Sequence, residues 1–234
     1  MIREYLDELT WRLQAQLGDR LVAAWQVGSG ALGDFDQLRS DIDVQALSAP
    51  LQRAELEALA ATLTDVPCPV RGLEFVLYAE PPRFALNLNT GPGMTHHEGY
   101  DPDAEERFWF VLDVAIARAN AVPLAGPHPG AVLPELPRSL LLTAHVESLA
   151  WWREHDAAQA VLAACRAWAW ASEGRFLSKG EAASWASTRI DDAVPIAKAL
   201  AKRVDAAAPG PTPDDVAAIL DHVNGVLSGV NPST

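Results

Sequence analysis

Gly28-Ser29-Gly30-Ala31-Leu32-Gly33-Asp34-Phe35-Asp36-Gln37-Leu38-Arg39-Ser40-Asp41-Ile42-Asp43-Val44 is the stretch on which the reading of this chain turns. It follows an apolar run, Leu21 to Trp25, with the character of a buried strand. Gly28 and Ser29 then form a turn of small residues, which lets backbone N–H groups and a hydroxyl approach a phosphate. From Asp41 to Leu47 polar and apolar residues alternate, the period of a second strand. Side chains two apart on a strand share a face, so Asp41 and Asp43 point the same way. Two adjacent carboxylates repel unless a positive charge lies between them. A divalent cation that prefers hard oxygen ligands answers that need. A Gly-Ser alone is usually an ordinary turn, and an Asp-x-Asp alone is usually a solvated strand end. The specific signal is their order and spacing.

Working outward, Ile2, Tyr5, Leu6, Leu9, Leu13 and Leu17 mark an amphipathic helix ended by Gly18. A second helical pattern runs from Pro50 to Leu63. Leu73 to Tyr78 is a third strand with one charge, Glu74, on the face opposite Leu73, Phe75 and Leu77. A third acidic strand residue beside the pair is what two-metal or base-assisted group transfer would require. Residues 81–103, with Asn87, Asn89, Gly91, Gly93 and Gly99, read as loop bordering a substrate cleft. The pair His96-His97 reads as part of that loop rather than as a metal site. A helix is expected over 105–120.

A proline-rich stretch, Pro123 to Pro137, predicts an interdomain linker. The chain therefore divides into a catalytic domain over 1–125, a linker over 126–137 and a helical domain over 138–234. Helices are expected near 138–154, 157–172, 179–187, 190–207 and 213–228, the last begun by Thr212-Pro213. The fold class is α+β: a small mixed sheet flanked by helices, followed by an all-α bundle. Trp151, Trp152, Trp168, Trp170 and Trp185 concentrate in the bundle as packing residues.

Composition sets bounds. The 234 residues are 49% hydrophobic, enough to bury a core. The formal net charge of −13 argues against a nucleic-acid partner and suits a cationic small substrate. No apolar run is long enough for a membrane span, and no secretion signal is evident. Cys68 and Cys165 lack zinc-motif spacing and suit a reducing compartment. A cytoplasmic monomer is expected.

The strand, the Gly-Ser turn and the Asp-x-Asp strand together resemble the nucleotidyltransferase superfamily related to DNA polymerase beta. The second half extends the likeness. Cys165-Arg166-Ala167-Trp168, Glu173-Gly174-Arg175, Ser178-Lys179-Gly180-Glu181-Ala182-Ala183-Ser184-Trp185-Ala186 and Arg189 resemble the helical domain of the aminoglycoside nucleotidyltransferases, as does Leu124-Ala125-Gly126-Pro127. The streptomycin/spectinomycin adenylyltransferases are the most similar branch.

The resemblance implies transfer of AMP from ATP to a drug hydroxyl. It implies magnesium on Asp41 and Asp43, Glu74 as base, and nucleotide contacts from Gly28, Ser29, Ser40, Arg189 and Lys202. Glu74 and Glu181 are the expected substrate-binding residues. One departure concerns the acceptor: a tryptophan that stacks on streptomycin in the family corresponds to Gly91 here. An acidic drug-binding residue of the family falls at Gly180, next to Glu181. The other readings are a nucleotidyltransferase acting on protein or RNA, as in toxin–antitoxin systems, and a non-catalytic nucleotide-binding module.

Overall fold

The computed structural model describes residues 1–230. The chain forms two compact units, residues 1–135 and 136–234. In the first unit the elements are α1 (Ile2–Leu17), β1 (Leu21–Gln26), α2 (Gly28–Ala31), β2 (Ile42–Ser48), α3 (Arg53–Thr64), β3 (Leu73–Glu80), β4 (Arg83–Thr90), β5 (His97–Gly99), α4 (Arg107–Asn120), β6 (Val122–Ala125) and α5 (Pro129–Val132). The strands form one six-stranded sheet in the order β5-β4-β3-β2-β1-β6. The pair β2/β3 is parallel and the other neighbours are antiparallel, so the sheet is mixed.

The two faces of this sheet differ because the strand sequences alternate. Ile42, Val44 and Ala46 of β2, Leu73, Phe75 and Leu77 of β3, and Leu86 and Leu88 of β4 join the apolar sides of α1 and α3 in one core. Asp43 and Glu74 therefore lie on the opposite face.

Three parts of this unit differ from expectation. The segment 81–103 contains two strands rather than being loop throughout. Phe84, Leu86, Leu88 and Thr90 are buried in strict alternation along β4, and β5 pairs with its outer edge. The asparagines between them, poor strand formers in general, lie on the more open face of the sheet. The stretch expected as a linker is fastened to the first unit up to residue 135. There β6 pairs with β1, the Trp25 indole donates to Pro127 O at 2.9 Å, and Arg118 donates to Gly130 O and Leu133 O. Finally, Asp41 precedes β2, which begins at Ile42.

The second unit contains α6 (Arg138–His155), α7 (Ala157–Glu173), α8 (Lys179–Ser187), α9 (Val194–Val204) and α10 (Pro213–Ser228). These are the five predicted helices, with α8 and α10 at the expected bounds. The fourth is shorter than 190–207: Asp192 Oδ1 accepts from Val194 N and Pro195 sits in the first turn, which start α9 late. The centre of the bundle is α7. Its Ala160, Val161, Leu162, Ala164, Cys165, Ala167 and Ala169 are fully buried, and the small side chains admit α6, α8, α9 and α10 closely. Among the described residues no helix is long and apolar enough to cross a membrane.

Candidate active site

The parallel pairing of β2 and β3 sets Asp43 directly opposite Glu74. The antiparallel pairing of β3 and β4 sets Glu74 opposite Asn89, and Asn89 in turn faces His97 on β5. A polar row thus crosses the sheet on the face away from the α1/α3 core. Asp41 joins it from the end of the preceding loop, close enough for its charge to act on Glu74.

Crowding shapes the chemistry of this row. The side chain of Glu74 remains open to solvent, yet its carboxyl is held well above the ordinary range. Loss of hydration among the surrounding groups is the first cause, followed by the charges of Asp43, Asp41 and Asp113. Asp113 comes from α4, where it is the one charge in the run from Phe108 to Ala117. It was not among the residues singled out from sequence, although a lone acid in an apolar helix was the available signal.

The Gly-Ser turn is part of the same arrangement. Residues 28–31 form a short helical turn after β1, and Val27 N donates to Asp43 O at 3.0 Å. Gly28 has a φ of +60°, and a Cβ there would lie 2.0 Å from Asp43 Oδ2. Glycine is therefore required twice over, by backbone conformation and by the carboxylate packed against it. Ser29 lies within this turn. Ser40 is nearly buried, and its hydroxyl oxygen accepts from Asp36 N at 3.0 Å, which closes the turn leading to Asp41.

Arg71 is a second residue that the sequence reading passed over. Its Nη1 donates to Asp41 Oδ2 at 2.5 Å. The two histidines of the 81–103 segment have separate partners: His96 meets Thr90 and Glu98, whereas His97 meets Glu105. Among the described residues no three His, Cys, Asp or Glu side chains form a ready metal cage. A cation here would take two carboxylates at most from Asp41 and Asp43, with its remaining ligands from elsewhere.

The remaining predicted residues lie in the helical unit. Arg189 stacks 4.3 Å from the Trp185 ring centroid and donates to Trp185 O and Thr188 Oγ1. Glu173 links the same group, accepting from Trp185 Nε1 at 2.6 Å. Lys202 donates to Ala206 O at the end of α9. Glu181 has a structural task that the sequence reading passed over. In Ser178-x-x-Glu181 the serine hydroxyl accepts from Glu181 N and the glutamate accepts from Ser178 N, a capping box for α8.

Comparison with known proteins now bears on these parts. Residues 131–228 match the family described as aminoglycoside adenylyltransferase, C-terminal domain. The whole fold is similar to the crystal structure of spectinomycin adenyltransferase AAD(9) from Enterococcus faecialis with ATP and spectinomycin. The TM-score is 0.69 at 16% identity, covering 97% of this chain and 99% of that one. Comparison with curated proteins gives no match. The match over 131–228 agrees with the resemblance read from the second half of the sequence, and the solved structure shares the fold of the chain. The sheet carries the carboxylate row, and the helical unit carries Glu181, Arg189 and Lys202.

Proposed function

We propose that the protein transfers AMP from ATP to a hydroxyl of an aminoglycoside or aminocyclitol and releases pyrophosphate. The observation that carries this reading is the convergence of Asp41, Asp43 and Glu74, fixed by the β2/β3 register. The similar Enterococcus protein was solved with ATP and spectinomycin, which supports ATP as donor and a cationic aminocyclitol as acceptor.

The donor set fits magnesium. Asp41 and Asp43 offer hard oxygens, and this ion commonly takes one or two carboxylates and completes its shell with phosphate oxygens and water. Bound there, it supplies positive charge against the phosphate oxygens on which negative charge builds during transfer.

The other steps belong to the chain and its substrates. Glu74 accepts the proton of the acceptor hydroxyl, a task suited to a carboxyl whose affinity for protons is raised. The hydroxyl oxygen bonds to the α-phosphorus as the bond to the bridging oxygen of pyrophosphate breaks. The Gly28-Ser29 turn and Ser40 contact the triphosphate. The resemblance assigns Arg189 and Lys202 to the phosphates, and Glu181, next to the position of the family's acidic drug-binding residue, serves the acceptor. A cytoplasmic monomer without a nucleic-acid or membrane partner is the corresponding expectation.

The test is incubation with ATP, magnesium and a panel of aminoglycosides and aminocyclitols, followed by mass spectrometry of the drugs. A drug carrying one added AMP is expected, and Asp41→Asn or Asp43→Asn should each abolish it. Labelling of protein or RNA with no drug modified would replace this reading with the macromolecular one. Normal turnover in either Asp variant would remove the metal assignment.

A further inference from the structure

Arg71 is placed with care for a residue whose side chain is 45% exposed. Its backbone is clasped by the segment that follows β4. Gly93 N donates to Arg71 O at 2.8 Å, and a Cβ on Gly93 would lie 2.9 Å from Arg71 Cγ. Gly91 has a φ of +144°, and a Cβ on it would come within 2.4 Å of Gly72 Cα. Gly72 O in turn accepts from Ile42 N at 2.8 Å, the first residue of β2. The absence of side chains at 91 and 93 thus lets one strand end lie on the 71–72 segment, which is tied to the residue after Asp41. The guanidinium that results is directed at Asp41 Oδ2, at 2.5 Å.

A guanidinium and a divalent cation cannot both take the same carboxylate oxygen at full strength. Arg71 also lies three residues before Glu74 on the same segment. A guanidinium released from Asp41 therefore remains where phosphate oxygens would be brought by a cation bound to Asp41 and Asp43. Arginine pairs readily with phosphate through its planar fork of donors.

We propose that Arg71 is a placeholder cation: it holds Asp41 until the nucleotide and its divalent ion arrive, cedes the carboxylate to that ion, and then pairs with the nucleotide phosphates. The inference rests on the assignment of Asp41 and Asp43 to a metal–nucleotide site. Arg71 is on this account a positioning residue for Asp41 and a phosphate ligand. It also gives Gly91 a purpose in this chain, since a bulky residue there would push the 91–94 segment off Gly72 and shift Arg71.

The test uses the full chain and Arg71→Met, which keeps much of the length and apolar stem but removes the charge. Binding of Mn²⁺ without nucleotide is followed by electron paramagnetic resonance. Binding of ATP at saturating Mg²⁺ is followed by calorimetry. The two affinities should move in opposite directions. Metal binding without nucleotide should tighten by roughly two- to fivefold, the scale of one partly exposed ion pair. Nucleotide binding should weaken by about tenfold, the scale of one charge-assisted hydrogen bond.

Both affinities falling together would reduce Arg71 to a structural residue, and unchanged affinities would exclude it from the site. Either result overturns the proposal. Should Arg71→Met fail to fold, Arg71→Lys keeps the charge without the fork. It should then show the same loss of nucleotide affinity in part, and full nucleotide affinity would overturn the proposal. If the unaltered protein binds neither Mn²⁺ nor ATP, the metal–nucleotide assignment itself fails, which is distinct from a failure of Arg71 alone.

Discussion

At the scale of single residues, the site depends on how closely groups of like charge are forced together. Glu74 feels Asp43, Asp41 and Asp113, and Gly28 lies against Asp43 with no room for a methyl group. The substitution Gly28→Ala therefore has two expected effects. The positive φ costs about 1–2 kcal/mol for an L side chain, read as a lowered denaturation midpoint. The added methyl also displaces the Asp43 carboxylate, so transfer should fall by more than the loss of stability explains. Full activity in a folded Gly28→Ala protein would show that Asp43 need not stay where it is. The role of this glycine was legible in sequence only as turn chemistry. Its contact with Asp43 depends on a register between β1 and β2 that no local pattern encodes. The pairing of Asp43 with Glu74 was likewise invisible, although each residue was found from its own strand alternation. Arg71 gave no signal because an arginine before a strand is ordinary until its partner is known.

At the scale of elements, local chemistry was read most successfully where a helix carries its own start signal. Thr212 caps α10 and Asp215 closes the capping box. Removing the cap by Thr212→Ala should cost about 1 kcal/mol, measured by chemical denaturation. Asp215 also pairs with Lys198 at 2.7 Å. That hydrogen bond first, then those at Thr212, lower its pKa to about 2. A carboxylate lowered in the folded state stabilises fully above its unfolded pKa, near 4, and loses that contribution as pH falls through its folded value. Thermal melts should therefore lose stability between about pH 4 and pH 2, and Asp215→Asn should flatten that part of the curve. An unchanged acid profile would show that the pair contributes nothing.

Glu181 needs a sharper variant, because its carboxylate already caps α8. Glu181→Gln preserves an acceptor for the cap and removes the charge. The Michaelis constant for a cationic acceptor should rise while the melting temperature holds. If only the melting temperature moves, Glu181 is a cap and no more. The strand β4 was missed for the opposite reason. Its alternation is regular, but Asn87 and Asn89 drew attention as turn residues. Tertiary pairing with β3 overrode that weak preference.

At the scale of the whole molecule, an α+β unit and a helical unit could be told apart in the sequence because their hydrophobic periods differ. The place of the boundary was harder to see. Prolines between 123 and 137 suggested a free connector, whereas burial of Trp25 and the Arg118 hydrogen bonds tie the chain down as far as Leu133. The formal charge of −13 makes a further expectation for the molecule as a whole. Attraction of a cationic acceptor should weaken as salt screens exposed charge beyond about 8 Å. On the proposed function and the resemblance that sets Gly91 at the tryptophan position of the streptomycin enzymes, a compact aminocyclitol such as spectinomycin should be modified faster than streptomycin. Its Michaelis constant should rise between low and high salt. Steady-state kinetics on both drugs would contradict this if streptomycin were faster or salt had no effect. The central claim is that the carboxylate row on the sheet performs the transfer with Glu74 as its base. It is tested most directly by measuring ATP affinity and turnover side by side in Glu74→Gln. The account predicts nucleotide binding retained and turnover lowered by about 10²–10⁴-fold, the usual contribution of a general base. Turnover within a few fold of the unaltered protein would contradict it.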